Sequence, residues 1–111
     1  EPISWQDFEK IELRVGTIIR AEPFPEARKP AYKVWVDFGE TIGTKCSSVQ
    51  ITALYTPESL LQKQVICVLN FSPKRIAGFE SEILVTGFYR DNGDVVLAVP
   101  DKPVPTGSKI G

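Results

Sequence analysis

Lys74-Arg75-Ile76-Ala77-Gly78-Phe79 puts two cations beside an aromatic ring in a glycine-containing connection. Asn70-Phe71 precede it and Ser81-Glu82 follow, adding an amide, a second ring, a hydroxyl and a carboxylate. Further back, Lys33 and Trp35 alternate along one side of an extended stretch, and Ser47-Ser48 offer paired hydroxyls. The chemistry open to these groups is recognition rather than reaction. Cations meet phosphates, carboxylates or carbonyls, while aromatic faces stack on bases or receive apolar side chains. An ordinary β-connection with solvated charges is the competing reading, although loops carry function more often than cores do.

Covalent chemistry finds no support. The chain has no histidine, which removes the commonest general base and metal ligand. Cys46 and Cys67 are too few and too widely spaced for a zinc or CxxC site. Both lie in strand-like segments and read as free buried thiols. Gly39-Glu40-Thr41-Ile42-Gly43-Thr44-Lys45 resembles a phosphate-binding loop in composition only, lacking the lysine-serine/threonine ending and a following helix. No enzyme activity, cofactor or metal is therefore expected. Lysine plus arginine (13) nearly balance aspartate plus glutamate (14). That argues against a global basic field and indiscriminate nucleic-acid binding, and leaves a local basic patch open. With no signal peptide or membrane span in view, a cytoplasmic protein without membrane insertion is expected. The chain begins at Glu1, so loss of an initiator methionine is expected.

The elements that must position these residues are mostly strands. Ser4-Trp5-Gln6-Asp7 has the form of a capping box and predicts a short helix with Trp5 and Phe8 on one face. From Ile11 to Glu22 the pattern alternates, with Ile11, Leu13, Val15, Thr17, Ile19 and Ala21 on one face. Gly16, in the middle, suggests a bulge or bend of the kind that closes a small barrel. Tyr32, Val34, Val36 and Phe38 predict an inward face; Lys33, Trp35 and Asp37 point outward. An outward tryptophan is either covered by a neighbouring loop or subunit or contacts a ligand. Gly39–Gly43 predicts a turn, and Thr44–Val49 a third strand. Thr56-Pro57-Glu58 starts a helix that Leu60 and Leu61 bury. Val65–Leu69 reads as a strand buried on both faces, and Ser81-Glu82 open a return strand through Phe88. Asp91-Asn92-Gly93-Asp94 marks a hairpin before the strand Val95–Val99, and the proline-rich tail is extended. Three strands, a short helix and further strands predict an all-β, single-domain chain over residues 1–111. The architecture is an OB-fold, a Greek-key five-stranded barrel with a short helix between strands three and four and short terminal extensions. A β-sandwich is the alternative.

Several segments carry a resemblance. Leu13-Arg14-Val15-Gly16-Thr17-Ile18, Val36-Asp37-Phe38-Gly39, Tyr55-Thr56-Pro57-Glu58-Ser59-Leu60 and Leu69-Asn70-Phe71, with Gly78 and Ser81-Glu82, resemble the tRNA-binding OB domain family over nearly the whole chain. Ala27-Arg28-Lys29-Pro30-Ala31-Tyr32-Lys33, Lys74-Arg75-Ile76-Ala77-Gly78-Phe79 and Pro100-Asp101-Lys102-Pro103-Val104-Pro105 are similar to its CsaA branch of export-related chaperones. The resemblance implies a homodimer that binds unfolded or signal-bearing preprotein segments and works with SecA in Sec-dependent export. Structure-selective tRNA binding is the alternative, with the aromatics stacking bases and Arg14, Lys33, Lys74 and Arg75 meeting phosphates. The expected peptide- or tRNA-binding residues are Lys33, Trp35, Ser47, Ser48, Asn70, Phe71, Lys74, Arg75, Phe79, Ser81 and Glu82. Asn70, Ser81 and Glu82 have bracing the loop as their other reading. Trp5, Phe8, Val104 and Ile110, apolar residues in terminal segments, are the expected dimer interface.

Overall fold

A computed structural model describes all 111 residues. In chain order it contains α1 (Trp5–Glu9), β1 (Leu13–Pro23), β2 (Tyr32–Asp37), β3 (Thr44–Val49), α2 (Pro57–Leu60), β4 (Gln64–Val68), β5 (Lys74–Ile76), β6 (Phe79–Ser81), β7 (Leu84–Val85), β8 (Gly87–Tyr89) and β9 (Val95–Leu97). Five strands form one antiparallel sheet in the order β3-β2-β1-β4-β7, curled into a nearly closed barrel. This is the expected OB-fold, with α2 between the third and fourth strands. Hairpins β5–β6 and β8–β9 project from it. No helix is long and apolar enough to cross a membrane.

The core follows from the alternation of β2. Val34, Val36 and Phe38 are buried, and with Ile18, Val49, Leu60, Val65, Cys67 and Ile83 they belong to one cluster. The first helix opens with the expected capping box, Ser4 with Asp7, and the expected Thr56 cap forms a second box with Ser59. Each box satisfies amides that a helix of one turn leaves without partners.

Strand β1 departs from its expected phase. Ile18 is buried, whereas Ile19 is 45% exposed. The pairing with β2 slips by one residue between Ile18 and Arg20, so Ile19 is the extra residue of a bulge. A bulge bends the strand and moves later side chains to the opposite face. The bend is useful here because β1 pairs with β4 over Leu13–Thr17 and with β2 over Thr17–Pro23. Gly16 is therefore not the bulge. Its bare Cα lies under the Val36 side chain and the Phe38 ring, both of which a Cβ would strike.

The remaining differences are local. Leu60 is fully buried, but Leu61 is exposed because α2 ends before it. Strand β4 runs one residue earlier than expected, and Ile66 is only half-buried, so it is not buried evenly on both faces. The return strand breaks at Thr86, whose amide and hydroxyl both donate to the Ile66 carbonyl. Strand β9 ends at Leu97 rather than Val99.

The tail continues the barrel wall beside β1. The Val15 amide donates to the Ser108 carbonyl (2.9 Å), and the Gly107 and Ile110 amides donate to the Val15 (2.7 Å) and Leu13 (2.9 Å) carbonyls. Arg14 Nη1 donates to the Gly107 carbonyl at 2.8 Å and its Nε to Glu12, which Lys109 also approaches at 3.8 Å. The Arg14 hydrogen bond leads the causes that hold the Glu12 carboxyl below the usual range.

Replacing Gly16 with alanine tests the packing at the bend. The added methyl has nowhere to go without moving Val36 and Phe38, so Gly16→Ala is expected to lower stability by about 1–3 kcal/mol. Urea unfolding measures it; an unchanged midpoint would mean that the two side chains relax freely.

Candidate ligand-binding site

The connection after β4 is a hairpin, β5–β6, rather than a loop. Its two-residue turn is Ala77-Gly78, both with positive φ (46° and 81°). That is the backbone a tight hairpin needs and glycine supplies most easily. Lys74 opposes Ser81, Arg75 opposes Glu80, and Ile76 opposes Phe79. Lys74, Ile76, Phe79 and Ser81 therefore share the face turned to the barrel. Arg75 and Glu80 share the outer face, 3.6 Å apart, and Arg75 Nη1 donates to the Gly78 carbonyl at 2.8 Å.

Phe79 closes over the outer face of β2. Its ring meets Phe24 edge-on at 5.5 Å and Trp35 at 5.9 Å between centroids. Lys33 Nζ lies 4.7 Å from the Phe24 ring and 5.1 Å from that of Phe79. The Arg20 guanidinium covers Trp35 at 4.4 Å, reached because Arg20 pairs with Trp35 across the ladder. The outward tryptophan is thus covered by its own chain, one of the two readings left open above. Phe24 is buried. Arg20 and Phe24 did not stand out as partners in the sequence; the bulge that re-aims Arg20 leaves no residue-type signal.

Beyond Phe79 the hairpin is fastened to β3. The Glu82 amide donates to the Cys46 carbonyl (2.9 Å), a backbone bond. The other links use side chains. The Cys46 amide donates to Glu82 Oε1 (3.0 Å), the Ser48 amide to Ser81 Oγ (3.0 Å) and Ser47 Oγ to the Ile83 carbonyl (2.9 Å). Ser47 is buried, and like Ser81 and Glu82 it braces the wall. Asn70 braces another joint, accepting from the Glu12 amide and donating to the Lys10 carbonyl.

Past this fastening the two edges of the sheet diverge into an open groove of about 700 Å³ between residues 47–51 and 81–87. Ser48, Phe71, Lys74, Ile76, Leu84 and Tyr89 line it. Phe71, Leu84 and Tyr89 are exposed. The expected residues thus divide into a packed cluster (Lys33, Trp35, Phe79) and a groove wall (Ser47, Ser48, Phe71, Lys74, Ser81, Glu82), while Asn70 and Arg75 lie outside both. Ile76, Leu84 and Tyr89 were missed. Their apolar types suggest core, and only the tertiary path of the hairpins exposes them.

Of the terminal residues, Trp5 and Phe8 stack at 5.2 Å and border a shallow groove with Ile11 and Ile110. Val104 lies apart, its backbone bonded twice to the Gln64 amide (2.7 and 3.0 Å).

Both cysteines are free. Burial pushes the Cys67 thiol up to about 12. The Cys46 thiol is pushed up to about 11, first by burial and then by the hydrogen bond and charge of Glu82, which lies 3.4 Å from its Sγ. A thiol is nucleophilic only once deprotonated. Neither should therefore react readily with iodoacetamide in native protein at pH 8, while both should be labelled once it is denatured without reductant. Rapid native labelling of Cys46, read by mass spectrometry, would contradict the geometry around Glu82.

A family profile described as "Putative tRNA binding domain" matches residues 13–109. Methionine--tRNA ligase of Pyrococcus horikoshii is 40% identical over 99% of this chain, which spans 15% of that ligase. The ligase of Methanocaldococcus jannaschii is 36% identical over 99% of this chain, which spans 16% of its length. Among solved structures, chaperone CsaA of Bacillus anthracis is 48% identical with a TM-score of 0.92, all of both chains being covered. The CsaA chaperone protein of Picrophilus torridus is also 48% identical, with a TM-score of 0.90 over 99% of this chain and 100% of that one.

Proposed function

From the premise that the chain belongs to the tRNA-binding domain family and is CsaA-like within it, we propose that it is a homodimeric chaperone for unfolded or signal-bearing preprotein segments. In this reading it works in the cytoplasm with SecA-driven export, and residues 1–111 act as one domain. The observation that carries it is the groove beneath the β5–β6 hairpin. Phe71, Ile76, Leu84 and Tyr89 offer apolar surface there, and Lys74 is the lone cation among the lining residues. Apolar contact tolerates many sequences, as a chaperone's clients require. The exposed Trp5 and the half-buried Phe8 and Ile110 form a terminal patch that a second copy would cover, with Val104 nearer its own barrel. Full-length similarity to two chaperone structures supports the reading. No reaction is proposed.

Structure-selective tRNA binding is the second reading, favoured by the ligase relatives and by Arg20 and Lys33 at the Phe24–Trp35 face. Against it, Arg20 and Phe79 cover Trp35, leaving its ring little room to stack a base.

Binding to an apolar preprotein segment and to tRNA, each at two salt concentrations, separates the readings. Peptide binding should depend weakly on salt, and Phe71→Ala should weaken it by about 1–3 kcal/mol through lost apolar burial. Steeply salt-dependent tRNA binding, with a log–log slope of roughly −3 to −5, and no measurable peptide affinity would replace the chaperone reading with the second one. Sedimentation at micromolar protein should give a dimer, and Trp5→Glu should shift it toward monomer; a wild-type monomer would remove the dimer from the proposal.

A further inference from the structure

We propose that Phe79 sets the ligand class of the outer β2 face: its seated ring shuts a surface that, once uncovered, stacks an unpaired base of single-stranded nucleic acid. This goes beyond the peptide-binding reading, which concerns the groove, and stands or falls independently of it.

The cluster over β2 is a layer outside the barrel core. Phe24, Trp35 and Phe79 belong neither to the core cluster nor to the apolar residues packed against it. Arg20 comes from β1, Phe24 from the residue after it, and Lys33 and Trp35 from β2; Phe79 alone comes from the hairpin. Residues 71–79 make no hydrogen bond to the barrel. Their ladder and the Arg75 bond to the Gly78 carbonyl stay within the hairpin. Fastening starts at Glu80, whose carbonyl accepts from Cys46 Sγ at 3.1 Å. The Phe79 ring is therefore seated by side-chain contact, and removing it breaks no backbone bond and leaves the core intact.

What lies beneath Phe79 has the makeup of a stacking site. Trp35 offers a flat ring, and such a ring accepts any base, since every base has a π-face. Arg20, the other cover of Trp35, pairs with Glu22 at 2.8 Å and is a long, largely exposed side chain free to change rotamer. Phe79 is the part of the cover that the backbone holds in place. Lys33 has no carboxylate partner; its charge lies over the Phe24 and Phe79 rings. Without Phe79 that charge is free to meet one phosphate. An apolar peptide segment would leave it unpaired, whereas a stacked nucleotide answers both the ring and the cation. A duplex needs many phosphates neutralised, which one free lysine does not supply.

The test uses the full chain carrying Trp5→Phe, which leaves Trp35 as its single tryptophan. In that parent, Phe79→Ala should open Trp35 to quenching by acrylamide and shift its emission to the red. Hexauridylate should then quench Trp35 and bind about tenfold more tightly than it binds the parent, the effect of one stacked base. Phe79→Tyr keeps the ring and should behave as the parent does. Adding Trp35→Ala to Phe79→Ala should abolish the gain, read by anisotropy of labelled hexauridylate. Phe79→Val, suited to a strand, takes the place of the alanine variant if that one unfolds. An unchanged Trp35 accessibility, or an exposed Trp35 without tighter hexauridylate binding, would overturn the proposal. So would a gain that survives Trp35→Ala, or quenching of Trp35 by hexauridylate in the parent. None of these outcomes touches peptide binding in the groove, which Phe71→Ala reads separately.

Discussion

The barrel of this protein is not closed by a ladder. Between β3 and the chain after β6 there is one backbone bond, from the Glu82 amide to the Cys46 carbonyl, with side-chain bonds from Ser47, Ser81 and Glu82 around it. A fully laddered seam would pair both edges and abolish the groove, as in continuous barrels. A seam without these links would leave the Cys46 and Ser48 amides unsatisfied inside a partly buried wall, at a cost of about 1–3 kcal/mol each. Side-chain closure avoids both. It fixes the hairpin's base and lets the sheet edges part immediately beyond it. Burial raises the Cys46 thiol first, and the same bracing carboxylate, 3.4 Å from its Sγ, raises it further.

The other end of the hairpin is held by apolar contact. Phe79 meets Trp35 and Phe24, while Arg20 and Lys33 lie over the same rings. Cations on aromatic faces are worth about 0.5–2 kcal/mol each, and this cluster fills what would otherwise be an open sheet face. Positive charge beside β2 is therefore partly engaged in packing. Fold and site depend on each other here: three of the residues that seat the hairpin tip, Lys33, Trp35 and Phe79, are among those expected from the sequence to touch ligand, and Phe24 and Arg20 complete the seat.

Where side-chain type and backbone phase agree, the sequence is readable. Strand β2 is the clear case, with Val34, Val36 and Phe38 inward and Lys33 and Trp35 outward. Strand β1 is misread before its bulge: Gly16 and Ile18, which the alternation sets opposite Val15 and Thr17, meet the core, and the slip at Ile19 brings Ala21 back to it as expected. The β5–β6 hairpin was not legible for a related reason. Its turn places Ala77 at positive φ, where alanine gives no turn signal of the kind Asn92-Gly93 gives. The groove was the least visible feature, since it lies between residues 47–51 and 81–87, which only the folded chain brings together. Its apolar lining looks like core until the hairpins carry Phe71, Leu84 and Tyr89 to the surface.

The barrel presents two surfaces of separable physics, the ring cluster over β2 and the groove beyond the seam. The β2 face offers rings and cations, so its use for nucleic acid turns on whether Phe79 and Arg20 leave Trp35 uncovered. The groove beyond the seam offers apolar side chains, chiefly Phe71, Leu84 and Tyr89, with the single cation Lys74. The β5–β6 hairpin contributes to both, with Phe79 at the ring cluster and Lys74 and Ile76 along the groove. Small changes in it can therefore redistribute function without altering the barrel. A shorter residue at position 79 would uncover Trp35 and favour stacking. Retaining Phe79 keeps that face filled and directs the exposed apolar surface of this chain into the groove.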